Sequence, residues 1–207
     1  MSEIRVRARR PDPPETDELV DRIFADMPTI RVPVEDRLVM GIDPSLTSTG
    51  LAYIWRGKLK ATTLAPSKRK GSECRGTARL AWYRDELRDM LRRYRPSLVV
   101  IEGYAFGAKF SREALGELGG VIRLLCHDEG IPVVIFQPTQ LKMYATGKGT
   151  GPKDNVSKEL FKRYGVDLTD NNEVDASGLA IMGLATLLPT MGRTEFQRRA
   201  LREAEDA

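Results

Sequence analysis

Two short apolar runs in this chain each stop on a carboxylate. Leu38-Val39-Met40-Gly41-Ile42 leads into Asp43, and Leu98-Val99-Val100-Ile101 leads into Glu102. Both read as buried strands, and the second, unalternating and rich in β-branched residues, has the pattern of a central strand in a parallel sheet, covered on both faces. A carboxylate at the end of such a strand is costly unless it is paired or metal-bound. A third acid, Asp175, lies far along the chain in Asn172-Glu173-Val174-Asp175-Ala176-Ser177-Gly178-Leu179-Ala180, near the start of a long apolar helix. If the fold gathers these three acids, their like charges need cations between them. Carboxylate oxygens select hard Mg²⁺ or Mn²⁺ rather than zinc. Taken singly, each acid could equally be a surface or capping residue, and Asp175 near a helix start is favoured by the helix dipole in any case.

The rest of the pattern predicts an α/β fold. Residues 1–36 read as a peripheral extension, basic, Pro-rich and flexible over 5–14, with a short helix over 15–27 that sets Leu19, Val20, Ile23, Phe24 and Met27 on one side. The domain proper spans 37–189. Strands over 50–55 and 58–64 flank the hairpin signal Arg56-Gly57. Leu80, Tyr83, Leu87, Met90, Leu91 and Tyr94 recur at helical spacing over 76–94 until Arg95-Pro96 stops the helix. A strand over 98–101, a helix over 112–128, a strand over 132–136 and a helix near 139–144 follow. The Gly-rich segment 147–152 separates that helix from another over 153–164. The last core helix, 172–188, carries Ala176, Gly178, Ala180, Gly183 and Ala185, small enough for close approach to a sheet. Residues 190–207 read as a charged tail with a short exposed helix from Thr194. A hairpin meander followed by βα units predicts a mixed five-stranded sheet flanked by helices.

Composition narrows the function classes. The chain's 207 residues suit one domain with tails, and no apolar stretch approaches the ~20 residues of a membrane span. The N-terminus lacks the apolar segment of a signal peptide. Cys74 and Cys126 are far apart with no CxxC, which predicts a reducing cytoplasm and no structural zinc. Net charge is only +4, yet Arg56 to Arg95 holds thirteen Lys or Arg against four acids. Such an excess points to a polyanion or, more plainly, to a solvated helix face. Gly147-Lys148-Gly149 is not a Walker A motif, because the spacing to a Lys-Ser/Thr pair is absent.

Gly41-Ile42-Asp43-Pro44-Ser45 with Thr49-Gly50 resembles the first-strand motif of RuvC-like Holliday junction resolvases. Ile101-Glu102 resembles their second acidic motif. Pro138-Thr139-Gln140-Leu141-Lys142, Gly147-Lys148-Gly149, then Lys153 and Val156 resemble their DNA-binding segment, and Glu173-Val174-Asp175-Ala176 with Leu179-Ala180 their last motif. The first motif alone is weakly specific; four in order over about 38–188 are specific. The resemblance implies an RNase H-like fold, a homodimer, Mg²⁺ with Mn²⁺ as substitute, two ions per site, and paired nicking of four-way DNA junctions. It implies no nucleotide cofactor and no membrane. The length and extended tails suggest a phage member, acting in the host cytoplasm.

On that resemblance Asp43, Glu102 and Asp175 hold the metals, and Lys142 and Lys153 face the scissile phosphate. Many members carry an acid three residues before the last aspartate; here that position is Asn172, whose amide oxygen can bind a metal but brings no charge, with Asp170 and Glu173 as substitutes. Lys148 would touch backbone phosphate. Tyr104 and Phe106 could stack on unpaired bases where a junction opens; packing under the next helix is the competing reading, and the stronger one for Phe110. The stripe Leu115, Leu118, Val121, Ile122 and Leu125 is core, or partly the dimer seam that the family places there. Other functions stay open from these residues: an actin-like ATPase, since Gly41 to Gly50 also resembles a phosphate-binding hairpin, a non-catalytic binder of branched DNA, or an RNA-processing nuclease of the same fold.

Overall fold

The structure is a computed structural model and describes residues 15–33, 36–66, 75–103, 112–188, 191, 194–202 and 205–206. Cys74, Tyr104, Phe106 and Phe110 lie outside the described residues, as does the basic segment 5–14.

The elements run in the order α1 (Glu15–Phe24), β1 (Val39–Asp43), β2 (Thr49–Trp55), β3 (Lys58–Leu64), α2 (Gly76–Tyr94), β4 (Leu98–Glu102), α3 (Arg112–Asp128), β5 (Val133–Phe136), α4 (Pro138–Thr146), α5 (Lys153–Tyr164), α6 (Asn171–Leu187), α7 (Glu195–Leu201) and β6 (Glu205–Asp206). The sheet order is β3-β2-β1-β4-β5-β6. The first three strands form an antiparallel meander, while β1, β4 and β5 are parallel. This is the expected mixed five-stranded sheet, lengthened at one edge by the two-residue β6, which pairs antiparallel with β5.

Local chemistry explains the joints. The β2–β3 hairpin turns through Arg56 at φ 45° and Gly57 at φ 74°, the paired left-handed conformations of a type I′ turn. Arginine tolerates that backbone here while its guanidinium bonds Asp36 at 2.6 Å and Asp21 at 3.0 Å. The same ion pairs tether the segment before β1 to the sheet. Arg31 extends the tether by donating to the carbonyls of Phe161 and Lys162 at the end of α5.

Two cores lie on the two sheet faces. Met40, Ile42, Leu51, Tyr53, Val99 and Ile101 pack under α1, α2 and α3. Val39, Ala52, Ile54, Leu98 and Val100 pack under α4, α5 and α6. Leu118, Ile122 and Leu125 of the α3 stripe are buried in the first core, whereas Leu124, beside it, is 62% exposed. Cys126 is buried in the same core, and burial pushes its thiol up to about 12, so it is no nucleophile. His127, at the end of α3, projects outward with 87% of its side chain exposed. Among the described residues no helix is long and apolar enough to cross a membrane.

Candidate active site

Register places the acids. Ile42 of β1 pairs with Ile101 of the parallel β4, so Asp43 and Glu102 follow side by side at the same end of the sheet, on strands ~4.8 Å apart. Side chains alternate along a strand. Asp43 therefore shares a face with Val39 and Gly41, and Glu102 with Leu98 and Val100, which is the face covered by α6.

Helix α6 supplies the third acid because glycines let it sit on the sheet. A Cβ on Gly41 would collide with the Ala176 carbonyl and stand 2.7 Å from the Ala180 nitrogen; one on Gly50 would meet the backbone of Asn172. At the far end, a Cβ on Gly183 would run into Val100 and come within 2.9 Å of Val39. The helix thus runs along β1 with its N-terminus over the strand's C-terminal end. Asp175, next to Ala176, falls above the sheet end that holds Asp43 and Glu102. Asp43 is 7% exposed and Asp175 8% exposed, and Glu102 is half-buried. The positive end of the α6 dipole offsets part of the cost of gathering these carboxylates. All the donors are oxygen, the set that suits a hard divalent cation. Among the described residues no three His, Cys, Asp or Glu side chains already surround a common metal position. The acids share a sheet end without forming a closed shell.

The residues beside Asp175 divide their roles. The Asp170 carboxylate caps α6, accepting from the backbone N–H of Asn172 at 2.9 Å and of Glu173 at 3.1 Å. That bonding is what an N-cap aspartate does, and it weighs against Asp170 as a stand-in ligand. Burial, then the neighbouring Asp170, holds the Glu173 carboxyl above the ordinary range. Asn172 donates its side-chain N–H to the Ser48 carbonyl at 3.0 Å, pinning α6 to the turn after β1. That turn is closed on itself: the N–H of Ser45 donates to Thr49 Oγ1 and those of Thr47 and Ser48 to Ser45 Oγ. Those N–H groups are therefore not open as a phosphate cradle, which counts against the ATPase reading. Tyr83 of α2 buttresses the turn from beneath, its hydroxyl 2.9 Å from the Ser45 carbonyl.

The lysines arrive by a second route. Helix α4 starts at the same sheet end, directly after β5, whose Phe136 pairs with Glu102. It opens with Pro138 and a capping box between Gln137 and Gln140. Leu141 packs onto Gly178, which is three residues from Asp175 on α6. Lys142, half-buried, follows Leu141 on α4. Lys148 is exposed in the loop before α5. Lys153 is the first residue of α5. Four of the basic residues between Arg56 and Arg95, Arg56 among them, are held in ion pairs. Arg84 and Arg88 face Asp85, and Arg92 bonds Glu129 at 2.9 Å. Those three arginines lie on α2, across the sheet from α6.

A mixed sheet of this order, with carboxylates ending its two central parallel strands beneath a glycine-seated helix, defines an RNase H-like domain. The family model described as crossover junction endodeoxyribonuclease RuvC matches residues 39–182. A relative of that name from Synechococcus sp. (strain WH7803) is 26% identical over 149 residues, covering 69% of this chain and 94% of the relative. Another, from Nocardia farcinica (strain IFM 10152), is 31% identical over 165 residues, covering 76% and 87%. Among solved structures, Thermus thermophilus RuvC in complex with Holliday junction substrate superposes with a TM-score of 0.60 at 19% identity, covering 76% of this chain and 99% of that one. The chain belongs to the RuvC family of crossover junction endodeoxyribonucleases. These relatives are bacterial; the phage origin expected above rests on length and tails alone.

Proposed function

We propose that this protein is a metal-dependent, structure-selective endonuclease that resolves Holliday junctions or related branched DNA by paired nicks. The observation that supports it most is the meeting of Asp43, Glu102 and Asp175 at one sheet end in a chain of the RuvC family. The Thermus relative solved with a Holliday junction supports the substrate class. Asp43, Glu102 and Asp175, with Asn172 through its amide oxygen, would hold the ions, two Mg²⁺ per site with Mn²⁺ as substitute. Bound there, divalent ions activate water and stabilise the leaving oxygen of an in-line displacement. The protein's own part is to fix the acids on rigid elements and present the phosphate to them. Lys142 and Lys153 contact the scissile phosphate and offset charge that develops there. Lys148 binds a backbone phosphate further out, and Tyr104 and Phe106 stack on opened bases. The cytoplasm is the expected compartment.

Cleavage and affinity separate these roles. Lys142→Ala and Lys153→Ala should lower single-turnover cleavage at saturating enzyme by about 10²-fold while changing junction affinity little. Loss of a remote phosphate contact such as Lys148 should instead weaken binding and reduce its salt dependence by about one unit of slope. Full-rate cutting by both lysine variants once bound would withdraw their catalytic role and leave the acids standing.

Paired nicks need two sites related by a two-fold axis, which an isologous dimer provides. The outer face of α3 suits that seam: Leu124 is 62% exposed there, and a Cβ on Gly120 would meet nothing within 4 Å. Sedimentation should give a dimer at micromolar concentration, converted to monomer by Leu124→Glu. A monomeric parent protein with no junction-induced dimer would sink this part of the reading.

A second reading, a branched-DNA binder without catalysis, draws on Asn172, whose amide is engaged with Ser48 and brings no negative charge. It predicts tight junction binding with no cut in either metal.

A further inference from the structure

The segment beyond the family match, read from sequence as an exposed tail, is built into the fold. Helix α7 buries Gln197 and Ala200, both 2% exposed. Thr194 and Gln197 form a capping box at its start. The Ala200 carbonyl then accepts from Gln140 Nε2 of α4 at 3.0 Å. Phe196 lies beneath Arg163 of α5, and a Cβ on Gly147 would come within 3.5 Å of its ring.

A buried polar chain crosses all three helices. Gln197 Nε2 donates to the Tyr164 hydroxyl at 2.8 Å, and that hydroxyl meets the Tyr144 hydroxyl at 3.1 Å. Tyr144 lies near the end of α4 and Tyr164 closes α5. These are the two arms of the hairpin whose loop holds Lys148 and whose arms hold Lys142 and Lys153. Buried polar groups of this kind fix one geometry only while every member is satisfied. Charge gives α7 no comparable role, because Arg198, Arg199 and Arg202 are followed at once by Glu203, Glu205 and Asp206.

We infer that Gln197 is a positioning residue for junction cleavage: through Tyr164 and Tyr144 it sets the α4–α5 hairpin that presents the lysines to the phosphate. The inference rests on the reading of that hairpin as the DNA-contacting element. It also gives the C-terminal extension a task in the reaction, since misplacing a contacting group by about 1 Å can cost large factors in rate.

The test uses the full chain with Gln197→Met, which keeps the volume and removes the donor, with Tyr164→Phe, and with the double variant. Single-turnover junction cleavage is measured at saturating enzyme and normalised to folded protein by thermal unfolding. Each single variant should cut about tenfold more slowly at an unchanged midpoint of Mg²⁺ dependence, because the acids are carried elsewhere. The double variant should be no slower than the worse single, since one linkage is broken in all three. Wild-type cleavage by Gln197→Met, or losses that simply add in the double variant, would overturn the inference. So would a shifted Mg²⁺ midpoint, which would place the damage at the acids. Lys142→Ala and Lys148→Ala run beside them. If both bind and cut as the parent does, the hairpin is not the DNA-contacting element, and the failure belongs to that reading rather than to the brace.

Discussion

Asp43→Asn, Glu102→Gln and Asp175→Asn are each expected to reduce junction cleavage by at least about 10³-fold in Mg²⁺ while leaving junction binding within a fewfold. Each change keeps side-chain shape and removes only negative charge. Asp43 and Asp175 are nearly buried at one sheet end, with Glu102 half-buried beside them. Binding is expected to rely on other groups, Lys148 of the α4–α5 loop among them. A gel-shift titration alongside cleavage in Mg²⁺ and Mn²⁺ checks both halves. Any of the three variants cutting at the parent rate would remove that residue from the metal site. Asn172→Asp belongs in the same titration. It restores a charge but gives up the donor to Ser48, so half-maximal cleavage should need less metal while thermal stability falls by about 1 kcal/mol. Unchanged metal dependence in both Asn172→Asp and Asn172→Ala would place Asn172 outside the site.

Gly41→Val is expected to cost about 3 kcal/mol or more in stability and to abolish cleavage in whatever protein still folds. Its first added carbon would meet the carbonyl of Ala176 and the nitrogen of Ala180, both backbone atoms of α6 that no rotamer change can move. Helix α6 would have to lift from β1, and Asp175 with it. Gly41→Ala should act in the same direction and less severely. Thermal unfolding and metal-dependent cleavage are the readouts. A Gly41→Val protein with parental stability and activity would mean that α6 is not seated on β1 as described.

Much of the sheet was legible because its signals are local. The apolar run before Asp43 marked a buried strand, the unalternating run before Glu102 marked a central parallel one, and Arg56-Gly57 marked the hairpin, where both residues do adopt positive φ. The spacing of Tyr83, Leu87, Leu91 and Tyr94 marked the buried face of α2. The helix with small residues was legible too, but not which strands its glycines would touch, since that depends on Gly41 and Gly50 more than a hundred residues away. Asp170 stood in the sequence as a stand-in metal ligand. That its Oδ1 caps α6 shows only in the bonds it accepts from the N–H groups of Asn172 and Glu173. The basic excess from Arg56 to Arg95 likewise hid its own ion pairs, some with partners as distant as Asp21 and Glu129. Helix α7 was the least legible. Its burial rests on Gln197 and Ala200, one polar and one small, which give no hydrophobic stripe.

The most direct measurement incubates the protein with end-labelled four-way junctions, flaps and plain duplex, in Mg²⁺ and in Mn²⁺, and maps every cut. The account predicts paired nicks placed symmetrically across the junction, dependent on the metal and abolished by EDTA, with intact duplex spared. Tight junction binding without a cut in either metal, or equal cutting of duplex and junction, would contradict it.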